Sequence, residues 1–482
     1  MLAVAVFSAL FVKKHKSAFS VAICMFATFF VLASFSITLI ERDNVVESLS
    51  GKTAEITALI TEEPEDHGEI NFISAETESI NLSGAPQKIH ITFSSYNKEI
   101  KEFDRVKLAV RFSEVPDEYK RDYFSRKNYL SVSLLRVISI EESNDLHPYK
   151  YAIDLRKAVR NSITENLSDE TEGILAGFII GGSRLLDDYT YSAFKTCGIN
   201  HMIAVSGMHM SVLCSALTSL FSYLKLRRRN RIFIILPIIL IYCALSGFTP
   251  SAIRAVIMVS AVFLTDFTKK RVDRLNMLGA TAIAMLIISP NLICSISFAL
   301  SFLALLGILV LNPILTKYTT AKITIPNALG FSARYIVDTA ITSFSAIVGI
   351  FPISVFVLGG MSNISVIANL LISFICTVSI IFGMVCVITD LILGGFISAL
   401  LYSVCELFLY YIRGTAITLA EIPFSYTVFD SYSTILTSLI GILVIIYMIV
   451  RGNQFPKQSI QYLTTAAVTV LFISIFVNLL NL

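Results

Sequence analysis

Charge is scarce in this chain: Asp, Glu, Lys and Arg make up 15% of its 482 residues, against roughly 25% in a soluble globular domain. With 55% hydrophobic residues and a mean hydropathy of +0.73, that scarcity excludes a soluble domain and describes a polytopic membrane protein. Two further absences narrow the function. There is no GxxxxGK[ST] phosphate loop, so no ATPase is evident and directional movement of any cargo requires a partner motor on the cytoplasmic side. There is no CxxC spacing either, and Cys24, Cys214, Cys243, Cys294, Cys376, Cys386 and Cys405 fall in apolar runs. Only Cys197 is placed near the outer surface, so neither an external disulfide nor a cysteine metal or redox site is expected.

Apolar runs follow one another at 199–224, 232–247, 250–265, 275–289, 292–313, 334–358, 363–391, 395–412, 432–450 and 460–482. About 20 apolar residues cross a bilayer, so eight to ten spans are expected, the shorter runs as tilted pairs or partly re-entrant segments. Ahead of them stand Met1–Val12 and Ser17–Ile40, separated by Lys13–Lys16. A signal peptide needs one short apolar region and a cleavage site, whereas here a second, longer run follows at once. The basic loops Lys13–Lys16, Lys225–Arg231 and Lys269–Arg274 set the cytoplasmic side, which places the stretch between Ile40 and Asn200 outside.

That external stretch changes texture. Alternating runs at 54–60, 69–75, 88–94, 104–113 and 129–140 are separated by turn residues, and five such strands suggest a small barrel with the OB-fold as leading candidate. An OB-fold invites a nucleic-acid reading, but residues 41–150 hold 14 Lys+Arg against 21 Asp+Glu, net −7, so the domain as a whole repels phosphate at long range. Only the clusters Lys98–Arg111 (Lys98, Lys101, Arg105, Lys107, Arg111) and Lys120–Lys127 offer a basic stripe. Tyr96, Phe103, Phe112, Tyr123 and Phe124 are stacking candidates, although aromatics in small barrels usually fill the core. Two amphipathic stretches follow, 151–167 with Arg156, Lys157 and Arg160 opposite its apolar face, and 187–198 with an Asp187 N-cap and a Gly198 stop. The expected organisation is an N-terminal membrane segment (1–46), the external β domain (47–145), interfacial helices (146–198), a helical bundle (199–455) and a last apolar helix (456–482).

Within the bundle, "HMIAVSGMHM" (201–210) interrupts an apolar helix. In a continuous helix starting near Asn200, His201 and His209 project within about 80° of each other, while Ser206–Gly207 admits a close neighbour. A zinc site lacks an adjacent third ligand, and "AVSGM" is not a nucleophile elbow. A wet, polar path between helices and simple helix packing remain the two readings. Pro250 suits a helix start with Arg254 one turn in, facing either phosphate or outer headgroups. Ser297 and Ser301 share a face, and the run 349–373, with Pro352 and Asn363, is suited to break helices.

Taken in series, "GFIIGGSRLLDDYTYSAFKTCGINHMIAVSGMHM", "LSGFTPSAIRA", "SPNLICSISFALSFLALLGI" and "FPISVFVLGGMSNISVIANL", behind a five-stranded external domain, resemble the ComEC family of competence proteins over roughly residues 47–375. The resemblance implies an inner-membrane channel that takes up transforming DNA as a single strand. It carries His201, Ala204, Ser206, Gly207 and His209 onto one block, Phe248, Pro250 and Arg254 onto a second, and Gly181, Phe194 and Gly198 onto the approach to the first. Arg254 is then a phosphate contact, Ser206–Gly207 a close-packing wall, and His201 and His209 polar lining. Many members continue into a metallo-β-lactamase-like domain with an HxHxDH-type cluster; here the histidines are His15, His67, His90, His147, His201 and His209, none so spaced. The implied form is shortened, without catalytic residues, metal or cofactor of its own. It works beside a separate DNA receptor, nuclease and motor, in contact with membrane lipid and as a candidate homo-oligomer. A transporter or flippase of another polar or lipid-linked substrate, or a membrane enzyme using His201, Ser206 and His209, is the alternative.

Overall fold

A computed structural model describes residues 18–429 apart from 68–69, 83–85, 98, 143–147, 184, 269–272 and 323–329. Met1–Val12, Lys13–Lys16, Lys98 and the apolar runs 432–450 and 460–482 therefore lie outside the described residues.

Helix α1 (Ala18–Leu49) runs past the expected end of its span and drives Val45 and Leu49 into the core of the β domain. The domain comprises β1 (Thr53–Ile60), β2 (Glu65–His67), β3 (Ile70–Ile80), β4 (His90–Ser95), β5 (Arg105–Ser113), the short helix α2 (Lys120–Ser125) and β6 (Ser131–Glu141). Strict alternation makes one face of each strand apolar: along β5, Val106, Leu108, Val110 and Phe112 point inward and Arg105, Lys107 and Arg111 outward. The strands pair in the order β1-β5-β6-β4-β3, and β3 returns to β1, closing the barrel. The parallel β4–β6 pairing at Phe93 and Val132 joins two otherwise antiparallel sections. Five closed strands in this order have the connectivity of an OB-fold. The short β2 extends β3 beyond the barrel.

Three helices lead into the membrane part: α3 (Pro148–Asn166), the short α4 (Glu172–Ile179), buried along nearly its whole length, and the short α5 (Asp188–Thr196), capped by Asp187 Oδ1 accepting from the Thr190 amide at 2.8 Å. Then come α6 (Gly207–Tyr223), α7 (Arg228–Leu245), α8 (Pro250–Thr268), α9 (Arg274–Ile288), α10 (Ile296–Lys322), α11 (Gly330–Phe356), α12 (Ser365–Ile392) and α13 (Gly395–Ala420). Among the described residues, four helices are long and apolar enough to cross a membrane: Ile296–Lys317, Arg334–Phe356, Ser365–Ile392 and Gly395–Ala420. Asn230–Leu245, Pro250–Phe263 and Arg274–Ile288 are apolar but shorter. The protein is thus a helical membrane protein carrying a small closed β-barrel.

Pro352 lies inside α11 without ending it; the chain leaves the helix after Phe356, forms β7 (Gly360–Ser362) and restarts at Ser365. β7 pairs with β8 (Tyr426–Val428), and Asn363 fastens that pairing, its Nδ2 donating to Phe424 O and Thr427 Oγ1, both at 2.8 Å. Cys197, placed near the surface by the sequence, is fully buried against α13, its thiol donating to Ala416 O at 3.2 Å.

The barrel is seated on the helices by α3. Arg160 forms a bidentate pair with Glu63 in the segment after β1, at 2.7 and 3.0 Å, and Lys157 pairs with Glu102 ahead of β5. Arg156, on the same helix, donates to the carbonyls of Leu245 (2.8 Å) and Ala244 (3.3 Å) at the end of α7. A second contact comes from Asn291, whose Nδ2 donates to Phe124 O at 2.8 Å.

Arg160→Ala deprives the largely buried Glu63 carboxylate of its guanidinium, and the expected cost is about 3 kcal/mol. Arg160→Ala/Glu63→Gln should recover part of that loss. Thermal unfolding of the full chain in detergent reads both, and a single variant as stable as wild type would show that this pair does not hold the barrel.

Candidate functional site

The block 201–210 is not one helix. Asn200–Met202 form a short 3-10 turn, the backbone extends at Ser206, and α6 starts at Gly207. The cause is local: Ser206 is the N-cap, its Oγ accepting from the Met208 amide at 3.2 Å, while Nδ1 of His209 accepts from the Ser206 amide at 3.1 Å. A serine and a ring nitrogen three residues on thus satisfy orphan donors at the helix start, as a capping box does. The expected common face for His201 and His209 is therefore absent. His201 is exposed, with Nδ1 3.1 Å from Gly198 O, whereas His209 is fully buried. Because Nδ1 of His209 accepts a hydrogen bond, the neutral ring carries its proton on Nε2, which has no hydrogen-bond partner among the described residues.

The second block folds beside the first. Helix α7 ends in a Schellman motif: the Phe248 amide donates to Cys243 O and the Gly247 amide to Ala244 O, both at 3.0 Å, with Gly247 at φ +76°. Pro250 then opens α8, as its fixed φ favours. Arg254, one turn in, is 8% exposed, and its guanidinium lies over Gly207 and 5.8 Å from the centre of the Phe302 ring. A β-carbon added at Gly207 would stand 2.9 Å from Arg254 Nη2, so the glycine makes the room that the guanidinium occupies. Arg254 forms no hydrogen bond or ion pair with any described residue, and its buried Nε is left without an acceptor. Ser301 is drawn to the same corner through Ser251, the two hydroxyls 3.1 Å apart, while Ser297 is exposed. Pro352 and Asn363 belong to the helix and strand described above.

A cavity of about 540 Å³ separates barrel from bundle at this point. Its floor includes Ala204, Val205 and Phe248–Pro250, the approaches to α6 and α8; its walls include Thr61, Glu63, Ser74, His90 and Asn128 from the barrel and Arg156 and Arg160 from α3. The starts of α6 and α8 lie just behind this floor with most of their first amides already capped, by Ser206, His209 and Thr249, so what they offer an anion is the positive end of two helix dipoles. Arg254 lies one turn further along α8 and is not itself among the residues lining the cavity, whose cations are Arg126, Arg156 and Arg160.

Of the two sequence-derived basic clusters, Lys120–Lys127 reaches the cavity through Arg126, while the described cations of Lys98–Arg111 are elsewhere. Arg105 makes a bidentate pair with Glu78 (2.7 and 3.0 Å), Lys101 pairs with Glu142 at 3.5 Å, and Lys107 and Arg111 project into solvent from β5. None of these four lines the cavity. Of the aromatic candidates, Phe103, Phe112 and Phe124 are buried core residues and Tyr96 is exposed. A ring pair that sequence reading did not single out, Tyr149 with Phe248 (centroids 5.7 Å apart), does line the cavity. The signal was non-local, since α3 brings Tyr149 to a loop about a hundred residues on.

Ser206→Ala removes the cap of α6 and should cost about 1 kcal/mol, whereas Ser206→Thr keeps a hydroxyl that accepts from the Met208 amide and donates to His209 Nδ1 and should remain close to wild type. Thermal unfolding in detergent separates the two; equal stability of all three proteins would mean that the cap contributes nothing.

Comparison with known proteins follows the same blocks. The family model described as "Competence protein" matches residues 178–454. ComE operon protein 3 of Bacillus subtilis (strain 168) is 23% identical over 419 residues, 85% of this chain and 51% of that protein. The chain therefore spans about half the length of the curated relative it matches. No solved structure matches it. With more than half of its length matched by the family model, from the end of α4 through both blocks of the site and beyond α13, the chain belongs to the competence protein family.

Proposed function

We propose that the protein conducts single-stranded DNA across the cytoplasmic membrane during DNA uptake, with the barrel on the extracytoplasmic side and Arg254 as a phosphate contact on the path. The observation that carries this reading is Arg254 itself: a guanidinium buried in the helical part without an acid partner among the described residues, packed against Gly207 at the start of α6, on the helix whose first residue, Pro250, lines the cavity. A polyanion cannot cross hydrocarbon and requires a protein-lined route with cationic contacts. Family membership supports DNA as the cargo. Lys101, Arg105, Lys107 and Arg111, with Lys98 among the undescribed residues, are external collecting contacts in this reading, away from the cavity. DNA receptor, nuclease and motor are separate proteins, and several copies of the chain together is part of the same proposal.

The alternative of an enzyme built on His201, Ser206 and His209 draws less support. The 2.9 Å separation of Ser206 Oγ from His209 Nδ1 is accounted for by the helix cap, and His201 stands on a different element.

Two measurements test the proposal. In cells carrying a clean deletion, wild type should restore internalised DNA while Arg254→Met and Gly207→Ala fail at normal membrane levels. With purified full chain, Arg254→Met should weaken binding of single-stranded DNA and reduce the slope of log affinity against log salt by about 0.7, the share of one phosphate. Uptake that survives deletion, or an unchanged slope, overturns this assignment.

A further inference from the structure

Phe248 stands out in the cavity floor for a reason that the phosphate path does not use. Its backbone is left-handed at φ +52°, directly after Gly247 at +76°. The Schellman motif that ends α7 requires that conformation only of the glycine. A bulky residue in the left-handed region costs about 1–3 kcal/mol and persists only where its surroundings enforce it. Here the enforcement is visible. Arg156 ties the carbonyls of Ala244 and Leu245, the Phe248 amide is held by Cys243 O, and Pro250 starts the next helix two residues on.

The strain does not serve to bury the ring. Phe248 remains 46% exposed, in tilted contact with Tyr149 at an interplanar angle of 36°. Both rings line the cavity, whose 540 Å³ lies within the roughly 300–1,000 Å³ of small-ligand sites. Around them are polar groups able to meet the edges of a planar heterocycle, among them Asn128, His90 and Thr249. An aromatic face held open in a cavity whose lining also holds Arg126, Arg156 and Arg160, in front of two helix starts, combines the two features that an unpaired nucleotide requires, a stacking platform and positive charge.

We infer that the cavity between barrel and bundle is a nucleobase site, in which an unpaired base of the transported strand stacks on the Phe248–Tyr149 ring pair while its phosphate faces the starts of α6 and α8. This rests on the proposed DNA function and adds to it a contact with the base. It follows that double-stranded DNA, with its bases already stacked and paired, is refused at this point. A strand is gripped by its rings as well as its charge.

The test uses the purified full chain in detergent and three probes of equal length: oligothymidylate, the same sugar-phosphate backbone without bases, and duplex DNA. Phe248→Gly removes the ring and relieves the backbone strain; Phe248→Tyr keeps a ring. Wild type should bind oligothymidylate more tightly than the abasic strand or the duplex. Phe248→Gly should weaken oligothymidylate about tenfold, leave abasic binding unchanged and unfold no earlier than wild type; Phe248→Tyr should behave as wild type. If Phe248→Gly weakens both single strands equally or neither, the base site is overturned, while a loss of both in Arg254→Met leaves the phosphate path standing. If wild type binds none of the probes, both readings fall.

Discussion

The seating of the barrel depends on one face of α3. Within five residues, less than two helical turns, Arg156 reaches the last carbonyls of α7 while Lys157 and Arg160 reach Glu102 and Glu63 of the barrel. A helix is stiff over that length, so the three side chains, together with α1 entering the barrel core and the Asn291–Phe124 contact, fix the height and rotation of the barrel relative to the membrane part. The bidentate pair adds direction, because a guanidinium fork meets a carboxylate in one plane. The cavity is what this spacing leaves open. Both of its sides are set by a single element, and the same Arg156 that clamps the end of α7 also fixes the turn carrying Phe248.

Inside the helices, polar side chains fall into two kinds. Glu406 of α13 accepts from Ser168 Oγ at 2.6 Å and its amide at 3.2 Å; Arg413 meets Glu170 at 2.9 Å and donates to Thr190 Oγ1 at 3.0 Å. These groups join the short helices α4 and α5 to α13 and have their partners at hand, as buried polar groups in an apolar setting require. Arg254 and Nε2 of His209 are of the other kind, as are Ser345 Oγ in α11 and Asn369 Oδ1 in α12. Of these, Arg254 carries a charge, and it shares with His209 the corner where the starts of α6 and α8 converge.

Much of the architecture was legible because its signals are periodic and local. Alternation along 104–113 gives the inward and outward faces of β5, and Pro250 and Asp187 mark helix starts through backbone chemistry that acts within a few residues. The break at Ser206 was missed since apolar residues on both sides suggested continuity, although a serine followed three residues later by a ring acceptor is itself a capping pattern. Arg156, Lys157 and Arg160 read as an interfacial stripe, the usual meaning of basic residues opposite an apolar face, because their partners are 55 to 97 residues distant. The Tyr149–Phe248 pair and the seat of Arg254 over Gly207 were invisible for the same reason. Those are products of topology, and neither spacing nor composition records them.

The accumulation of unfavourable terms at one corner is the feature that a purely structural account leaves unexplained. An isolated charge withdrawn from water costs several kcal/mol, and the Phe302 face returns about 0.5–2 kcal/mol of it. The nearby helix N-termini are themselves positive and so cannot supply the missing counter-charge. To this the chain adds the left-handed backbone of Phe248, which keeps a ring half-exposed where burying it would be favourable. Packing alone would remove both terms, by leucine at Arg254 and glycine at Phe248. A flat aromatic visitor would cover the open ring of Phe248, and an anionic one would supply the counter-charge that Arg254 lacks, although the backbone strain at Phe248 stays with the chain in either case. A lipid headgroup meets the second demand only; an unpaired nucleotide meets the two.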